Sequence, residues 1–495
     1  MRCARGKTRD MALPGWAPGK VMFGMESAAG RDSAIAGWIW NQRWFGEKSR
    51  QLESFSLASF GVVDCGAIPV DLLTIECEFR DGERSSYFIP LVSAPASAAD
   101  NDPSSIEDAF GRSEFLDWFA GGFRGRVLVQ GERKLSWIPG GSPGAHARDY
   151  GAARLVRSEQ SNTSIQYGDH AIAKVFRRLR PGVNPDVELI QYLTEQTAYR
   201  HVPAHEGAVI MHKGRRDSDV TLAAMQHYVP NAGDCWTWLL HELETGTRAE
   251  EKDLVSAIAL LGRRTAELHR ALASPSADPA FAPEQIGKRE SDAFVARLTA
   301  ELDQTMSAVA SAGVRSEANL DATRQSIAQK ISQAPILEGS LATRVHGDYH
   351  LGQVLRTTDD FVIIDFEGEP SRPIELRREK ASPLKDVAGM VRSLDYAVAT
   401  LERAGVASGT ATFRDWGAHA SAAFIAAYRA SIETGGRMIL PQSAATFAAT
   451  LDLYLIEKAL YEVRYELDNR PDWLEIPLSA LEALGKEPTT APSGN

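Results

Sequence analysis

The chain has 495 residues, with 65 acidic residues against 54 Lys and Arg and a formal net charge of −11. This length is enough for two or three structural units with substantial cores. The acidic balance argues against a broad basic surface for nucleic acid or anionic lipid. The four cysteines are scattered without a CxxC spacing, which argues against a zinc site and a disulfide scaffold. Small-molecule chemistry fits this composition best.

The first residues do not resemble a membrane or secretion segment. No stretch of the chain approaches the roughly 18 consecutive apolar residues of a membrane span. The N-terminal residues also lack the apolar centre of a signal peptide. We therefore expect a cytoplasmic protein, and we interpret residues 1–24, which are rich in Gly, Pro and basic side chains, as a disordered tail.

Residues 25–125 are predicted to form an N-terminal subdomain that mixes helix and strand. Ile35, Trp38 and Ile39 share one helical face, and alternating apolar residues further on indicate a β-hairpin. The predicted elements are a helix at 33–44 that Gly46 closes, strands at 70–79 and 87–92, a loop at 94–105 and a helix at 106–119.

Residues 126–230 are predicted to form a strand-rich unit that binds nucleotide. A strand pair at 126–130 and 134–138 is followed by a strand, a polar loop and two more strands between 153 and 176. Lys174 interrupts the last apolar run, and a lysine there is costly unless its amine finds an anion. It is a candidate for binding the α- and β-phosphates of ATP, with an edge lysine that reaches solvent as the alternative.

Further nucleotide contacts are expected around this lysine. In place of a glycine-rich lid, the loop at 160–164 offers phosphates the hydroxyl, amide and backbone N–H groups of Ser161, Asn162 and Ser164. Glu188, in a helix that Asn184 or Asp186 can cap, is the expected partner of Lys174, with a surface glutamate as the alternative. The connector at 223–230 is expected to meet adenine, with Gln226 and Tyr228 as its candidates.

Residues 231–495 are predicted to form a mostly helical lobe. Apolar side chains recur at helical spacing, and charged faces suggest a solvated scaffold. His269 is assigned to the interior or to a helix end. The predicted helices lie at 253–273, within 294–331, at 415–434 and at 441–469, where Arg470 and Pro471 end the last one.

Residues 344–370 carry the clearest chemical pattern of the chain. Asp348 precedes Gln353 by five positions, and Asp365 ends the apolar run that follows. Protein kinases use this spacing for a base Asp, a metal-binding amide and a metal-binding Asp. Turn-like residues at 357–360 between two apolar runs predict a hairpin that brings the two acids together. We interpret the stretch as a phosphoryl-transfer centre that uses ATP and Mg²⁺.

Two acids follow Asp365 at alternate positions. Glu367 and Glu369 would point to the same side as Asp365 if the strand continued that far. One or more of the three could hold Mg²⁺, and we assign Glu367 only a supporting role. The same carboxylates would also suit a glycoside hydrolase, which needs two acids and no ATP.

The C-terminal helix carries a candidate sugar site. Tyr461, Glu462, Tyr465 and Glu466 place aromatic rings and carboxylates close together, which suits stacking on sugar C–H surfaces and binding of hydroxyls. His350, in the catalytic stretch, is added to this set. The alternative is a tyrosine-bearing core helix, and the helical pattern alone does not separate the two.

At these motifs the chain resembles the actinobacterial maltokinases. The resemblance covers QRWFG at 42–46, QSNTS at 160–164, the stretch 344–370, SPLKDVAGM at 382–390 and YEVRYELDNRPDW at 461–473. It implies an α+β, bilobal protein-kinase-like fold with an N-terminal cap subdomain and a mostly helical C-lobe. It also implies transfer of phosphate from ATP to maltose to give maltose 1-phosphate, which feeds glycogen synthesis from trehalose, with Trp473 behind the sugar pocket.

The resemblance leaves rival functions open. A second small-molecule kinase with the same catalytic stretch, such as a glucosamine kinase, is the nearest alternative. A pseudokinase that only binds partners is disfavoured because Lys174, Asp348 and Asp365 are all present. We expect a monomer that binds a small sugar, with neither nucleic acid nor membrane as partner, and a trehalose synthase as the protein partner that the resemblance implies.

Overall fold

The computed structural model describes residues 30–93, 106–130, 133–141, 150–156, 162–212, 219–246, 248–333, 337, 339–370, 372–406, 412–433, 439–441 and 443–486. The predicted tail at 1–24 and the predicted loop at 94–105 lie outside these residues. Within them, no helix is both long enough and apolar enough to cross a membrane. The fold combines sheets in the first half of the chain with helices in the second, which confirms the predicted α+β class.

Fifteen strands occur in the described residues. They are β1 (Leu52–Cys65), β2 (Ile68–Phe79), β3 (Arg84–Val92), β4 (Val127–Gln130), β5 (Arg133–Pro139), β6 (Ala153–Val156), β7 (Thr163–Tyr167), β8 (Ala171–Val175), β9 (Arg178–Leu179), β10 (His205–His212), β11 (Val220–His227), β12 (Glu284–Gln285), β13 (Leu341–Ala342), β14 (Val354–Arg356) and β15 (Phe361–Ile363).

Twelve α-helices occur in the same residues. They are α1 (Gly30–Trp40), α2 (Ser113–Gly121), α3 (Pro185–Gln196), α4 (Cys235–Thr245), α5 (Arg248–Leu272), α6 (Lys288–Ala312), α7 (Glu317–Gln333), α8 (Ile374–Arg377), α9 (Leu384–Arg403), α10 (Phe413–Ile432), α11 (Ala444–Asn469) and α12 (Glu475–Lys486). Short 3₁₀ turns include Leu351–Gln353 and Pro471–Trp473.

Two antiparallel sheets make up the first half. A four-stranded sheet has the order β1, β2, β3, β9, and a seven-stranded sheet has the order β4, β5, β10, β11, β8, β7, β6. Strand β8, which carries Lys174, leads within two residues to β9 of the other sheet. The lysine strand is therefore tied covalently to the four-stranded sheet.

Apolar burial joins these layers. Phe88 of β3, Phe115 of α2 and Ile165 of β7 belong to one buried cluster that draws side chains from both sheets. A second cluster includes residues of α5, α9 and α10 and the hairpin β14–β15, and a third lies between α6, α7, α11 and α12. Removing such apolar surface from water is the main favourable term in folding, and here it fixes the hairpin against the helical lobe.

Most predicted elements are present in the structure, but α1 is shorter than predicted and some observed elements were not predicted. Helix α1 ends at Trp40 and does not reach Gly46, because the amides of Asn41 and Gln42 turn back to donate to the carbonyls of Trp38 and Ile39. Strand β1 was not predicted, since its serine-rich, half-exposed run shifts register between Ser59 and Val62. Strand β10 and helix α12 were also not predicted.

Candidate active site

Side chains from distant parts of the chain line a cleft of about 1070 Å³. Residues that line it include Trp44, Tyr87, Lys174, Asp348, Gln353, Asp365, Arg377, Lys458, Tyr461 and Tyr465. The predicted nucleotide, catalytic and sugar residues thus meet at one surface. Trp44 and Tyr87 come from the region predicted as the N-terminal cap, which the sequence had not connected to the site.

Buried hydrogen bonds hold the loop that carries Asp348. The backbone N–H groups of His346 and Gly347 donate to the Asp386 carboxylate at 2.7 and 2.9 Å. His269, which is fully buried as predicted, lies 3.1 Å from the same carboxylate, and its other ring nitrogen meets Tyr428 at 2.9 Å. Burial raises the pKa of Asp386. Its bonds to His269 and the loop amides lower the pKa by a larger amount, so the pKa lies below its ordinary value. The ionised acid therefore fixes the loop backbone.

Helix α9 approaches the same loop closely. A Cβ atom added to Gly389 would lie 2.5 Å from the carbonyl oxygen of Tyr349, a distance that no side chain can adopt without displacing the backbone. Glycine at this position allows the helix to support the catalytic loop directly.

Asp348 faces a lysine from a distant helix. The ammonium of Lys458, on α11, donates to Asp348 Oδ1 at 3.2 Å. Burial raises the pKa of Asp348, but the positive charges of Lys458 and His350 outweigh it, so the net pKa lies below the ordinary value. The carboxylate is therefore ionised near neutral pH and can accept a proton from a hydroxyl, provided the hydroxyl lies within hydrogen-bond reach. The sequence did not single out Lys458, which is 110 residues from Asp348 in the chain.

The predicted hairpin brings Asp365 into the cleft. Strands β14 and β15 pair Val354 with Ile363, and the Gln353 amide donates to Asp365 Oδ2 at 2.8 Å. Asp365 has a φ of 66°, the only positive φ of a non-glycine residue within the described part of the chain. Such a conformation costs free energy and is concentrated at functional sites. The geometry therefore sets Asp365 apart from an ordinary strand end.

Lys174 contacts acids on the loop after β15. Its ammonium lies 2.6 Å from Asp365 Oδ1 and 2.5 Å from Glu367 Oε1. Burial raises the pKa of Asp365, but the Lys174 charge and hydrogen bond bring it below the ordinary value. The predicted pairing of Lys174 with Glu188 is wrong, because two arginines bind the Glu188 carboxylate.

Those two arginines are Arg344 and Arg378. Arg344 donates to Glu188 Oε2 at 2.7 Å, and Arg378 donates to Oε1 at 2.6 Å. Glu188 thus links α3 to the segment between β13 and the catalytic loop and to the segment after α8. Lys174 and Glu188 lie on separate charge networks.

Asp186, in the first turn of α3, lies close to Lys174, where Glu188 was expected. It is buried, accepts hydrogen bonds from the Phe366 N–H at 2.8 Å and from Gln226 at 3.3 Å, and feels the charge of Lys174. Burial raises its pKa to about 7. The sequence identified Asp186 only as a candidate helix cap, and the cap is Asn184, which accepts from the amides of Asp186 and Val187.

The other predicted nucleotide residues are distributed around this part of the fold. Asn162 lines the cleft, whereas Ser164 is buried in β7 opposite Lys174 of β8. Gln226 bonds to Asp186, and the Tyr228 N–H donates to the His170 carbonyl. Ser161 lies outside the described residues.

The predicted sugar residues form one wall of the cleft. His350, Tyr461, Glu462, Tyr465 and Glu466 all line it. The rings of Tyr461 and Tyr465 stack with centroids 6.3 Å apart. Tyr465 is 43% exposed, and the Arg470 guanidinium lies over its ring at 5.5 Å from the centroid.

The carboxylates of this wall already bond to arginines. Arg392 donates to Glu462 at 2.8 Å, and Arg470 donates to Glu466 at 2.7 Å. Tyr396 also donates to Glu466, at 3.1 Å, and its ring stacks on Trp473 at 6.4 Å. The wall therefore combines aromatic faces with paired charges.

The expected alternation of three acids along a strand is wrong. Strand β15 ends at Ile363, and the backbone turns at Asp365. Glu367 meets Lys174, whereas Glu369 is buried and pairs with Arg372. Of these three acids, Asp365 and Glu367 line the cleft and Glu369 does not, which removes the basis for a three-carboxylate cluster.

The cleft residues fit a magnesium ion only with help from a ligand. Among the described residues, no group of three or more His, Cys, Asp or Glu side chains is arranged to hold a metal. Gln353 and Asp365, in direct contact, offer a neutral and a charged oxygen, which are ligand types that Mg²⁺ accepts. Two protein ligands completed by phosphate and water are usual for Mg²⁺ bound with a nucleotide.

Known proteins resemble this chain in both sequence and fold. Residues 152–368 match the model of the phosphotransferase enzyme family, and this segment contains Lys174, Asp348 and Asp365. A glucosamine kinase of Mycolicibacterium smegmatis is 30% identical over 339 residues, covering 68% of this chain and 80% of the relative. Another from Streptacidiphilus jiangxiensis is 29% identical over 345 residues, covering 67% and 73%.

A solved structure extends the likeness to nearly the whole chain. A glucosamine kinase in complex with glucosamine, ADP and inorganic phosphate superposes with a TM-score of 0.64 at 23% identity, covering 87% of this chain and 94% of that chain. This confirms the predicted kinase-like fold. The enzyme class predicted from the sequence, an ATP-dependent sugar kinase, is also confirmed. The chain belongs to the phosphotransferase enzyme family.

Proposed function

We propose that this protein transfers the terminal phosphate of ATP to a hydroxyl group of a small sugar bound in the cleft. The observation that carries the proposal is that Asp348, Lys174, Asp365 and the tyrosines of α11 line one cleft, where Lys458 of α11 contacts Asp348. A kinase needs both an anion site for nucleotide and an acceptor site, meeting at a base.

Asp348 is the proposed base. Its low pKa keeps it ionised, so it accepts the proton of the sugar hydroxyl as the oxygen attacks the terminal phosphorus, and ADP leaves. A carboxylate of low basicity contributes mainly by orienting the hydroxyl. Lys458 holds that carboxylate in place from α11, which also carries the sugar-binding tyrosines.

Lys174, Asp365 and Gln353 are proposed to bind the nucleotide phosphates together with Mg²⁺. When bound, the metal would neutralise phosphate charge and fix the phosphate orientation. Lys174 now pairs with Asp365 and Glu367 and would exchange part of this pairing for phosphate oxygens. Asn162, Gln226 and Tyr228 remain proposed nucleotide contacts, and Glu188 is proposed to act from a distance by fixing α3.

Glucosamine is the first acceptor to consider. Two relatives that share about 30% of their residues with this chain carry the name glucosamine kinase. A glucosamine ammonium needs an acid nearby, and Asp468, whose exposed side chain lines the cleft next to the tyrosines, can provide it. Glucosamine therefore replaces maltose as the leading candidate for the acceptor.

Maltose remains a second candidate because of the length of the aromatic wall. The stacked pairs Tyr461–Tyr465 and Tyr396–Trp473 both line the cleft. This is more ring surface than one pyranose requires. A disaccharide would use it more fully. The implied role in glycogen synthesis, the trehalose synthase partner, the monomeric state, the cytoplasmic location and the domain boundaries remain predictions.

The test is an acceptor panel. ADP formation would be followed with Mg²⁺-ATP and glucosamine, maltose, glucose or water, and the products would be identified by NMR. ADP formation that depends on one sugar, with phosphate on that sugar, would support the proposal and name the acceptor. ADP formation that no sugar increases would contradict the proposal and indicate ATP hydrolysis. No ADP formation with any sugar would also contradict it and favour a non-catalytic binding protein.

A further inference from the structure

Two arginines meet beside the cleft and share backbone acceptors. Arg180 donates to the carbonyl oxygens of Arg372 and Pro370 at 3.4 and 3.2 Å. Arg377 donates to the same two oxygens, at 2.8 and 2.5 Å. Because they share both acceptors, the two guanidinium groups lie side by side. One comes from the strand region after Lys174 and the other from α8.

These positive charges lack close counterions. Within the described residues, Arg180 makes no ion pair with a carboxylate, and Arg377 has only Glu367 at 3.9 Å. Glu367 is already in contact with Lys174 at 2.5 Å. The Arg377 side chain is only 3% exposed, and a buried cation without a close anion is unfavourable. Burial and the neighbouring arginines lower the pKa of Arg180 to about 10.

The pair lies next to the reacting groups. Both arginines line the cleft, and the Arg377 guanidinium is within electrostatic range of Asp348 and Asp365. Its side chain is also held in place, because a Cβ atom added to Gly368 would lie 3.3 Å from Arg377 Cβ. The arginine therefore packs against the backbone that follows Asp365 and Glu367.

We propose that Arg377 and Arg180 form the binding site for the terminal phosphate of ATP. This rests on the proposed function and assigns residues that hold the phosphate being transferred. A guanidinium matches the geometry of phosphate oxygens and stays charged at any working pH. Charge that spreads over those oxygens during transfer is stabilised by donors already in position.

The proposal separates two nucleotides that differ only by this phosphate. ADP lacks the group that the arginines hold, whereas the non-hydrolysable analogue AMP-PNP carries it. In Arg377→Gln and Arg180→Gln, we expect Mg²⁺-AMP-PNP to bind about tenfold more weakly by titration calorimetry, while Mg²⁺-ADP changes by less than about twofold. Glutamine retains an N–H donor for the carbonyls of Pro370 and Arg372. We also expect kcat of Arg377→Gln to fall about 100-fold.

The matched control is Arg414→Gln, which removes the same charge from an exposed arginine of α10 that bonds to Glu402. It should bind both nucleotides as the unaltered protein does. Unchanged AMP-PNP affinity in both variants would refute the phosphate site. So would an equal loss of ADP and AMP-PNP, because that is what a purely structural role of the pair predicts.

Folding is checked by the thermal midpoint of each variant. If Arg377→Gln is too unstable to measure, Arg180→Gln, which changes a partly exposed residue, provides the same comparison of AMP-PNP and ADP affinities. The ratio of those two affinities then tests the phosphate site. An unaltered protein that binds neither nucleotide would refute the proposed function, and with it this site.

Discussion

The two sides of the cleft are built in different ways. The phosphate side brings Lys174, Asp365 and Asp348 together from the segment 152–368, through one strand and one hairpin. Most of the sugar side comes from α11 and the turn after it, outside that segment, and its acids Glu462 and Glu466 are already paired with arginines. Asp348, Gln353 and Asp365 thus lie close together in the sequence, whereas acceptor choice depends on distant helices.

This difference leads to a general expectation for mutations. Changes on the phosphate side should lower kcat or metal-nucleotide use for every acceptor. Changes on the sugar side should alter KM for the acceptor and leave nucleotide use intact. Results that mix the two patterns would contradict this division of roles between the two sides of the cleft.

The largest effect is expected for Asp348→Asn. The amide can still hydrogen-bond to Lys458 or to a hydroxyl but cannot accept the hydroxyl proton, so we expect kcat to fall by about 1000-fold. The dissociation constant of Mg²⁺-ADP should stay nearly unchanged. Stopped-time assays of ADP formation, together with calorimetry, measure both. Asp359→Asn, in the exposed turn between β14 and β15, is the control. Retained turnover in Asp348→Asn would remove Asp348 from the role of base.

A smaller effect, with a different signature, is expected for Asp365→Asn. Loss of the carboxylate removes a proposed metal ligand and the partner of Lys174. We expect the Mg²⁺ concentration for half-maximal rate to rise about tenfold or more. Rates measured over a Mg²⁺ series at fixed ATP give this value. An unaltered Mg²⁺ dependence would count against the metal role.

Lys458→Met tests the connection between the two sides, because Lys458 of α11 contacts Asp348. Its charge helps to keep the pKa of Asp348 low, so its loss raises that pKa. A base must be ionised to act, so the acidic limb of the kcat profile should move to higher pH, by about one unit. Lys458→Arg should restore most of the original profile. A profile of Lys458→Met that overlays the original would show that the lysine does not tune Asp348.

The smallest effect is expected at the outer end of the sugar wall. In Tyr465→Ala, loss of an exposed aromatic face should raise KM for a bound sugar by about three- to tenfold, without changing KM for ATP. If the wall binds two rings, KM for maltose will rise more than KM for glucosamine. If Tyr465→Ala leaves KM unchanged for both maltose and glucosamine, the acceptor binds elsewhere.

Much of the phosphate side could be predicted from the sequence. The five-residue step from Asp348 to Gln353 and the apolar run before Asp365 are local features, so their joint meaning is visible in one short stretch. The hairpin follows from two apolar runs and a turn-like segment. The predicted extension of the strand past Ile363 was wrong, because the backbone turns into the left-handed region at Asp365. Aspartate tolerates this conformation, but its presence in a sequence does not predict it.

Charge networks between distant elements could not be predicted. Glu188 was assigned to Lys174 by analogy, but Arg344 and Arg378, more than 150 residues away, bind it in the structure. In the sequence, Lys458 is one lysine within the predicted helix at 441–469, and Arg377 is one of several charged residues between 372 and 380. Their roles depend on which helices pack together, and helical periodicity fixes a face without fixing its neighbour.

The most direct test of the central claim is a crystal structure of the protein with Mg²⁺, AMP-PNP and the sugar selected by the acceptor panel. We expect one sugar hydroxyl oxygen about 2.6–3.2 Å from the Asp348 carboxylate. We also expect nucleotide phosphates beside Lys174 and Asp365, and a sugar ring against Tyr461. A sugar bound away from Asp348, or phosphates bound away from Lys174, would refute the proposed phosphoryl transfer in this cleft.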